Sequence, residues 1–332
     1  MKKFDLSKPA MKIRDFEQRD IEDCIRLLQV GHTPDFTRRR FEWLHFQNPM
    51  APSRIVVAEH EGRIVGLYSA IKKHVRIDGK RFIGARDVDP VVHPDFRNKG
   101  IFKSMLDHAL KHYTEIDFHF NFANTVSKAG FLSQGWQEVG SINDCLHQVN
   151  YDHLLSKKFL LFMLSNLKPV DTCRIAWPLE ALNCQQFSSF VTNDHAGVIV
   201  ERTYEYLTWR YTHNPLNTYS NIADGPGPEL QKFAIGKFDQ LNGGFILHDF
   251  FVSKNSLDHS VDYVVNFVKD NNFSTLRTWR TCLPVLRSQM VCNPYNRHST
   301  LRLLVRKRSQ HVSDAIYDLN KWILTPGDLE IM

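Results

Sequence analysis

Cysteine is scarce and scattered in this chain of 332 residues: Cys24, Cys145, Cys173, Cys184, Cys282 and Cys292 include no C-x-x-C pair. That spacing argues against a zinc knuckle and against a disulfide framework. A reducing, cytoplasmic setting is the expectation. His112 and His119 lack ligand spacing, so no metal is expected. No apolar run reaches the ~20 residues a membrane-spanning helix needs. The N-terminal stretch is basic but has no apolar core, so no secretion signal is expected. A formal charge of +6 is mild. It suits a small anionic ligand and makes nucleic acid an unexpected partner.

Apolar content of 42% and charged content of 23% are those of a globular protein, and the length suggests two domains. The most informative stretch is Val88 to Leu106. Strand character ends at His93-Pro94, and a basic turn, Asp95-Phe96-Arg97-Asn98-Lys99-Gly100, follows. Ile101, Phe102, Met105, Leu106, Ala109 and Leu110 then recur at helical spacing. The first N–H groups of a helix have no internal partner, and its dipole favours negative charge there. Arg97 and Lys99 add positive charge, and Gly100 admits close approach because it has no Cβ. A pyrophosphate would suit this turn.

The run Val92-His93-Pro94-Asp95-Phe96-Arg97-Asn98-Lys99-Gly100-Ile101-Phe102 resembles the acyl-CoA signature V-x-P-x-[YF]-R-x-x-G-x-[GA] of the GNAT N-acetyltransferases. Pro94, Phe96, Arg97 and Gly100 match; Phe102 stands where the family usually has Gly or Ala. The resemblance implies an α/β (α+β) fold with mixed sheets and an acyl-CoA co-substrate, acetyl-CoA or another. It assigns the cofactor to Arg97, Asn98, Lys99, Gly100, Ile101 and Phe102. The pantetheine arm would lie along the backbone of Val91 and Val92.

The order of elements agrees with that fold. A strand at 11–16 precedes a helix from Asp20 to Gly31, and a second helix covers 37–46. Strands at 54–59 and 63–77 form a hairpin, and Asp78-Gly79 turns into a strand at 81–92. After the anion-loop helix come a strand at 116–122, a helix at 124–133 and a last strand at 135–149. Residues 1–150 are expected to be the acyl-CoA-binding domain and 151–332 a second one, with 151–168 a connecting helix.

The second half echoes the first. Trp43-Leu44-His45-Phe46-Gln47-Asn48-Pro49 returns as Trp209-Arg210-Tyr211-Thr212-His213-Asn214-Pro215. A hairpin at 232–252, a helix from 261, a strand at 275–283 and a closing strand at 301–305 are expected. No Arg-x-x-Gly follows its hairpin, and Ser256 or Asp258 would cap the helix instead. The second half reads as a degenerate copy, serving as wall, substrate platform or homodimer surface.

Pro90 lies inside a strand pattern and marks an edge or a bulge. Asp87 and Asp89 alternate on that strand, so they are expected to share a face, with either as general base. Mutual repulsion would raise the pKa of one of them. By resemblance Asn124 bonds the pantetheine. Phe131 occupies the place of a tyrosine that protonates the departing thiolate, so that role is vacant. Arg302, Arg306, Lys307 and Arg308 read as a solvated strand edge. The leading expectation is direct acyl transfer to the primary amine of a small molecule. A non-catalytic acyl-CoA sensor and an aminoacyl-tRNA-dependent transferase are the alternatives.

Overall fold

Three long strands from Arg54 to Val92, joined by two tight turns, build the centre of the first unit. They are β2 (Arg54–His60), β3 (Arg63–Ile77) and β4 (Lys80–Val92). Both turns take the left-handed backbone that two-residue hairpins require, at Glu61-Gly62 and Asp78-Gly79. The computed structural model describes residues 11–149, 197–224, 230–239, 243–253, 262–281 and 301–329. They divide into two compact units, residues 1–140 with 301–318 and residues 141–300 with 319–332. The sequence reading placed one boundary at residue 150, whereas each of these units takes chain from two separate stretches.

In the first unit β1 (Lys12–Asp15) pairs with β2. Beyond β4 come β5 (Phe118–Ala123), β13 (Arg302–Lys307) and β6 (Gln137–Ser141), giving the order β1-β2-β3-β4-β5-β13-β6. Alternation assigns each strand residue to one of two cores. On one face Val56, Ala58, Tyr68, Ala70 and Ala85 pack with α3 (Ile101–His112). On the other, Ile55, Val57, Leu67 and Val91 pack with α1 (Ile21–Gly31) and with Phe41 of α2 (Arg38–His45). Thr37 caps α2 by accepting from Arg40 N–H at 3.2 Å. α1 ends at Gly31, where the sequence places its end. This glycine is the last helical residue, and a Cβ there would collide with the Val91 side chain, so it serves close helix–strand approach.

Two strand expectations change. Residues 135–149 are two strands, β6 and β7 (Asp144–Gln148). β7 belongs to the second unit, antiparallel to β12 (Thr275–Trp279). The strand expected to close the second half, β13, instead pairs with β5 along its whole length, from Arg302·Ala123 to Lys307·Phe118. Strand composition fixes neither partner, since any amphipathic strand fits either neighbour.

The second unit has a five-stranded sheet, β7-β12-β11-β10-β9. Its other strands are β9 (Ser220–Ala223), β10 (Lys232–Asp239) and β11 (Gly244–Val252). β8 (Val198–Val200) and β14 (Trp322–Ile323) pair in parallel. α5 (Tyr204–Leu207) continues into a π-helical turn, Thr208–Thr212, and α6 (Asp262–Asp270) follows the β10–β11 hairpin. The Asn-Pro echo has a physical basis. Asn48 Oδ1 accepts from Met50 N–H and Asn214 Oδ1 from Leu216 N–H, the same side-chain turn after each helix. The helix expected at 151–168 and the caps Ser256 and Asp258 lie outside the described residues.

Candidate active site

β4 and β5 run parallel and pair only at Gly84·Phe118, Ala85·His119 and Arg86·Phe120. Past Arg86, β4 stays with β3 and β5 stays with β13, so the two strands part. β4 is bulged just beyond that point. Ser69 pairs with Val88 but Leu67 with Val91, which leaves one extra residue at Asp89-Pro90. Asp89 absorbs it with φ 51°, a left-handed conformation that Asp tolerates better than most residues. Of the edge or bulge that Pro90 marks, the strand shows the bulge.

That extra residue overturns the expectation that Asp87 and Asp89 share a face. Asp87 pairs with Ala70 and points to the α3 face. Its Oδ1 lies 2.9 Å from His119 Nδ1, and Tyr68 Oη is 3.5 Å from the same nitrogen. Asp87 and His119 are fully enclosed. Burial raises the Asp87 pKa, and the charge and hydrogen bond of His119 act against that rise. Repulsion from Asp89 is not the cause.

Asp89 points the other way, towards α2. Its Oδ2 lies 3.8 Å from His45 Nε2, beyond hydrogen-bond distance, and neither atom has a hydrogen-bond partner among the described residues. His45 Nδ1 is held 3.1 Å from Ser53 Oγ, and its ring meets Phe41 edge-on. Burial lowers the His45 pKa to about 4, so the imidazole is neutral at pH 7; Asp89 opposes the shift and Arg40 adds to it. Leaving a buried polar atom unmatched costs ~1–3 kcal/mol. Here two such atoms face each other. Arg40 completes the cluster. It is half-buried, its guanidinium stacks 4.3 Å from the Phe36 ring centroid, and its buried Nε has no hydrogen-bond partner. Burial lowers its pKa, and Asp89 opposes that.

His45 and Arg40 were missed in the sequence. A histidine four residues after Phe41 and beside Leu44, on the buried side of an amphipathic helix, was the available signal.

The turn into α3 is exposed. Asn98 has φ 61° and Gly100 φ 76°, and no side chain caps the helix. The first turn carries no acidic residue, and a Cβ on Gly100 would meet nothing within 4 Å. Successive amides beside a left-handed residue form an anion-binding concavity. The donor set is compatible with a pyrophosphate. Arg97 Nε–H donates to the Val92 carbonyl at 3.2 Å, tying the turn to the end of β4. Lys99 folds back, donating to the Asp95 carbonyl at 2.9 Å and lying over the Phe96 ring. Ile101 is buried under α3.

Phe102 reaches α4 (Thr125–Leu132), where it fits against Gly130 and meets Phe131 edge-on at 5.3 Å. Phe131 is fully buried and also packs on Trp136 at 4.9 Å. The bulky residue at 102 and the missing hydroxyl at 131 are thus one packing solution. Asn124 Oδ1 accepts from Ser127 N–H at 2.9 Å and so caps α4. The basic residues of β13 are engaged locally. Arg302 pairs with Glu138, Lys307 with Asp314, Arg306 donates to the Gln134 carbonyl and Arg308 to that of Thr114. Among the described residues no group of three His, Cys, Asp or Glu side chains comes together. No described helix is long and apolar enough to cross a membrane.

The second unit repeats part of this arrangement. β10 and β11 are also bulged, since Ile235 pairs with Asp249 but Gly236 with Leu247. In the echo His45 aligns with Tyr211, whose hydroxyl donates to Asp249 Oδ2. Asp249 is saturated. Thr325 Oγ1 donates to it at 2.6 Å, and the Arg202 guanidinium lies 3.2 Å away and also pairs with Asp328. Burial works against the Arg202 charge, but the two carboxylates outweigh it and raise its pKa.

A family model, described as an acetyltransferase (GNAT) domain, matches residues 12–137. No curated protein matches the sequence significantly. Among solved structures, the chain is similar to a GCN5-related N-acetyltransferase from Anabaena variabilis, with TM-score 0.63 and 13% identity over 90% of this chain and 73% of that one. A GCN5-related N-acetyltransferase from Kribbella flavida gives TM-score 0.59 and 11% identity over 90% and 71%. Saccharomyces cerevisiae N-myristoyltransferase with bound myristoyl-CoA gives TM-score 0.52 and 12% identity over 90% and 84%. At such identities these likenesses speak to the fold, and that fold is the mixed α/β architecture of the GNAT enzymes. Residues 12–137, with their parted strands and open basic turn, are an acetyltransferase domain of the GNAT family.

Proposed function

We propose that the protein is an acyl-CoA-dependent N-acyltransferase that moves an acetyl group to the primary amine of a small molecule. The observation that carries this reading is the parting of β4 from β5 past Arg86, with the open basic turn at 97–100 a few residues on. The amides of residues 98–102 and the Arg97 guanidinium hold the pyrophosphate, with charge-assisted bonds of ~1.5–3 kcal/mol each. Backbone of Val91 and Val92 flanks the arm, Asn124 and Phe102 define the wall beside it, and the buried Phe131 backs Phe102 from the core. Acyl-CoA, when bound, supplies a thioester carbonyl as the electrophile.

Of the two carboxylates, Asp89 is the base. Asp87 Oδ1 is bound to the enclosed His119, whereas Asp89 Oδ2 faces His45 beyond hydrogen-bond distance and belongs to the less buried carboxylate of the two. Asp89 takes the first proton from the acceptor ammonium, the amine nitrogen forms its bond to the carbonyl carbon, the C–S bond breaks, and the second nitrogen proton passes through water to the departed thiolate. No acid from Phe131 is needed, because a thiol is acidic enough at pKa ~8.5 to depart as the anion. The second unit is a degenerate copy without this loop.

Arg97→Ala combined with Gly100→Glu tests the site. Binding to immobilised CoA should vanish while circular dichroism stays unchanged, and retained binding rejects the assignment. The enclosure of Phe131 favours a second reading, a non-catalytic acyl-CoA sensor. Turnover of acetyl-CoA with an amine panel separates the two, because a sensor binds without transfer.

A further inference from the structure

The pair His45–Asp89 and the neighbouring Arg40 point to the acceptor itself. We infer that the acceptor is an amino acid, whose ammonium docks between Asp89 and His45 and whose carboxylate is held by Arg40. This rests on the acyltransferase reading above.

Three observations carry it. Asp89 Oδ2 and His45 Nε2 face each other at 3.8 Å, both buried and both without a partner. A nitrogen carrying several protons satisfies both: it donates to the carboxylate and to the imidazole lone pair at once. His45 is neutral in this setting, so it accepts and does not repel a cation.

The second unit shows what such a carboxylate takes when no ligand is meant for it. Asp249, beside the equivalent bulge, is filled by the Arg202 guanidinium and by Tyr211 at the position that His45 holds in the echo. A protein cation stands there in the inactive copy. In the first unit no described side chain donates to Asp89 Oδ2 as that cation does to Asp249.

Arg40 supplies the third. It forms no ion pair among the described residues, lies close enough to Asp89 and His45 to act on both, and is the most exposed of the three. A guanidinium stacked on Phe36 keeps its fork in one plane, which matches a carboxylate in two-point contact. The deep pair takes the amine and the outer arginine takes the acid.

The test uses the full chain. Acetyl transfer from acetyl-CoA is followed for a panel of amino acids, their carboxamides, the corresponding decarboxylated amines and O-phosphoethanolamine. Amino acids should exceed their carboxamides at least tenfold in kcat/KM. Arg40→Gln should raise KM for the amino acid at least tenfold and leave KM for the carboxamide and the acetyl-CoA affinity unchanged. Arg40→Lys should recover part of the loss, and it serves as the readout if the glutamine variant fails to fold. Equal rates for acids and amides overturn the inference, as does a preference for the phosphorylated amine. Acetyl-CoA binding without transfer to any amino acid overturns it too and leaves the cofactor site standing. Failure of the wild-type chain to bind acetyl-CoA removes the acyltransferase reading, and this inference with it.

Discussion

Asp87 and Asp89 stand two residues apart on β4 and point to opposite faces of its sheet. A regular strand would put both on one face. The single extra residue at the bulge turns Asp89 from the α3 core to the α2 side, so that one carboxylate is enclosed with His119 and the other faces His45.

The two carboxylates should therefore respond differently to amidation. Asp89→Asn keeps a residue that tolerates the left-handed backbone, so the fold should survive. Its kcat should fall by about 10²–10⁴, the usual worth of a general base. Asp87→Asn mimics a protonated carboxyl, the form that burial favours there, and should leave kcat little changed. Steady-state kinetics on both variants, with acetyl-CoA affinity as the control, decides it.

His45 makes stability depend on pH. Its folded pKa of about 4 lies below the 6.5 of an exposed imidazole. The stabilisation it allows is complete above pH 6.5 and is lost as pH falls through 4. A shift of that size amounts to roughly 3 kcal/mol at the acid limit. Urea unfolding between pH 7 and 4 should show this slope, and His45→Gln should flatten it. An unchanged slope would mean that the ring protonates freely in the fold.

A chain ending at residue 150 should not fold as a soluble monomer. It lacks β13, leaving the apolar strand β5, buried along its length, as an open edge. Grafting residues 301–318 after residue 140 through a short linker should restore solubility and near-ultraviolet circular dichroism. Equal behaviour of the two fragments would contradict the pairing.

Restoring the family's tyrosine should harm the protein. Phe131→Tyr places a hydroxyl in the core formed with Phe102 and Trp136. An unmatched buried hydroxyl costs ~1–3 kcal/mol. A lower Tm with no gain in kcat is the expected outcome; a rise in kcat would give residue 131 access to the thiolate.

Much of the first unit was legible in the chain. Asp78-Gly79 fixed a hairpin, Pro90 a bulge, and Arg97 to Gly100 a basic turn before a helix, because each of these depends on local backbone geometry. The face taken by Asp89 was not legible, since alternation presumes no extra residue. Nor was the role of His45, which lies 44 positions from Asp89 in sequence and reaches it only through the packing of α2 on the sheet.

The amino-acid order by itself determined most of the elements, their turns and the open basic bend at Gly100, all products of interactions within a few residues. Only the tertiary structure decided that β13 completes the first sheet, that β7 leaves for the second, and that Asp89 meets His45. Those outcomes depend on which distant surfaces bury one another, and edge strands and buried polar atoms acquire their partners only when the chain has closed.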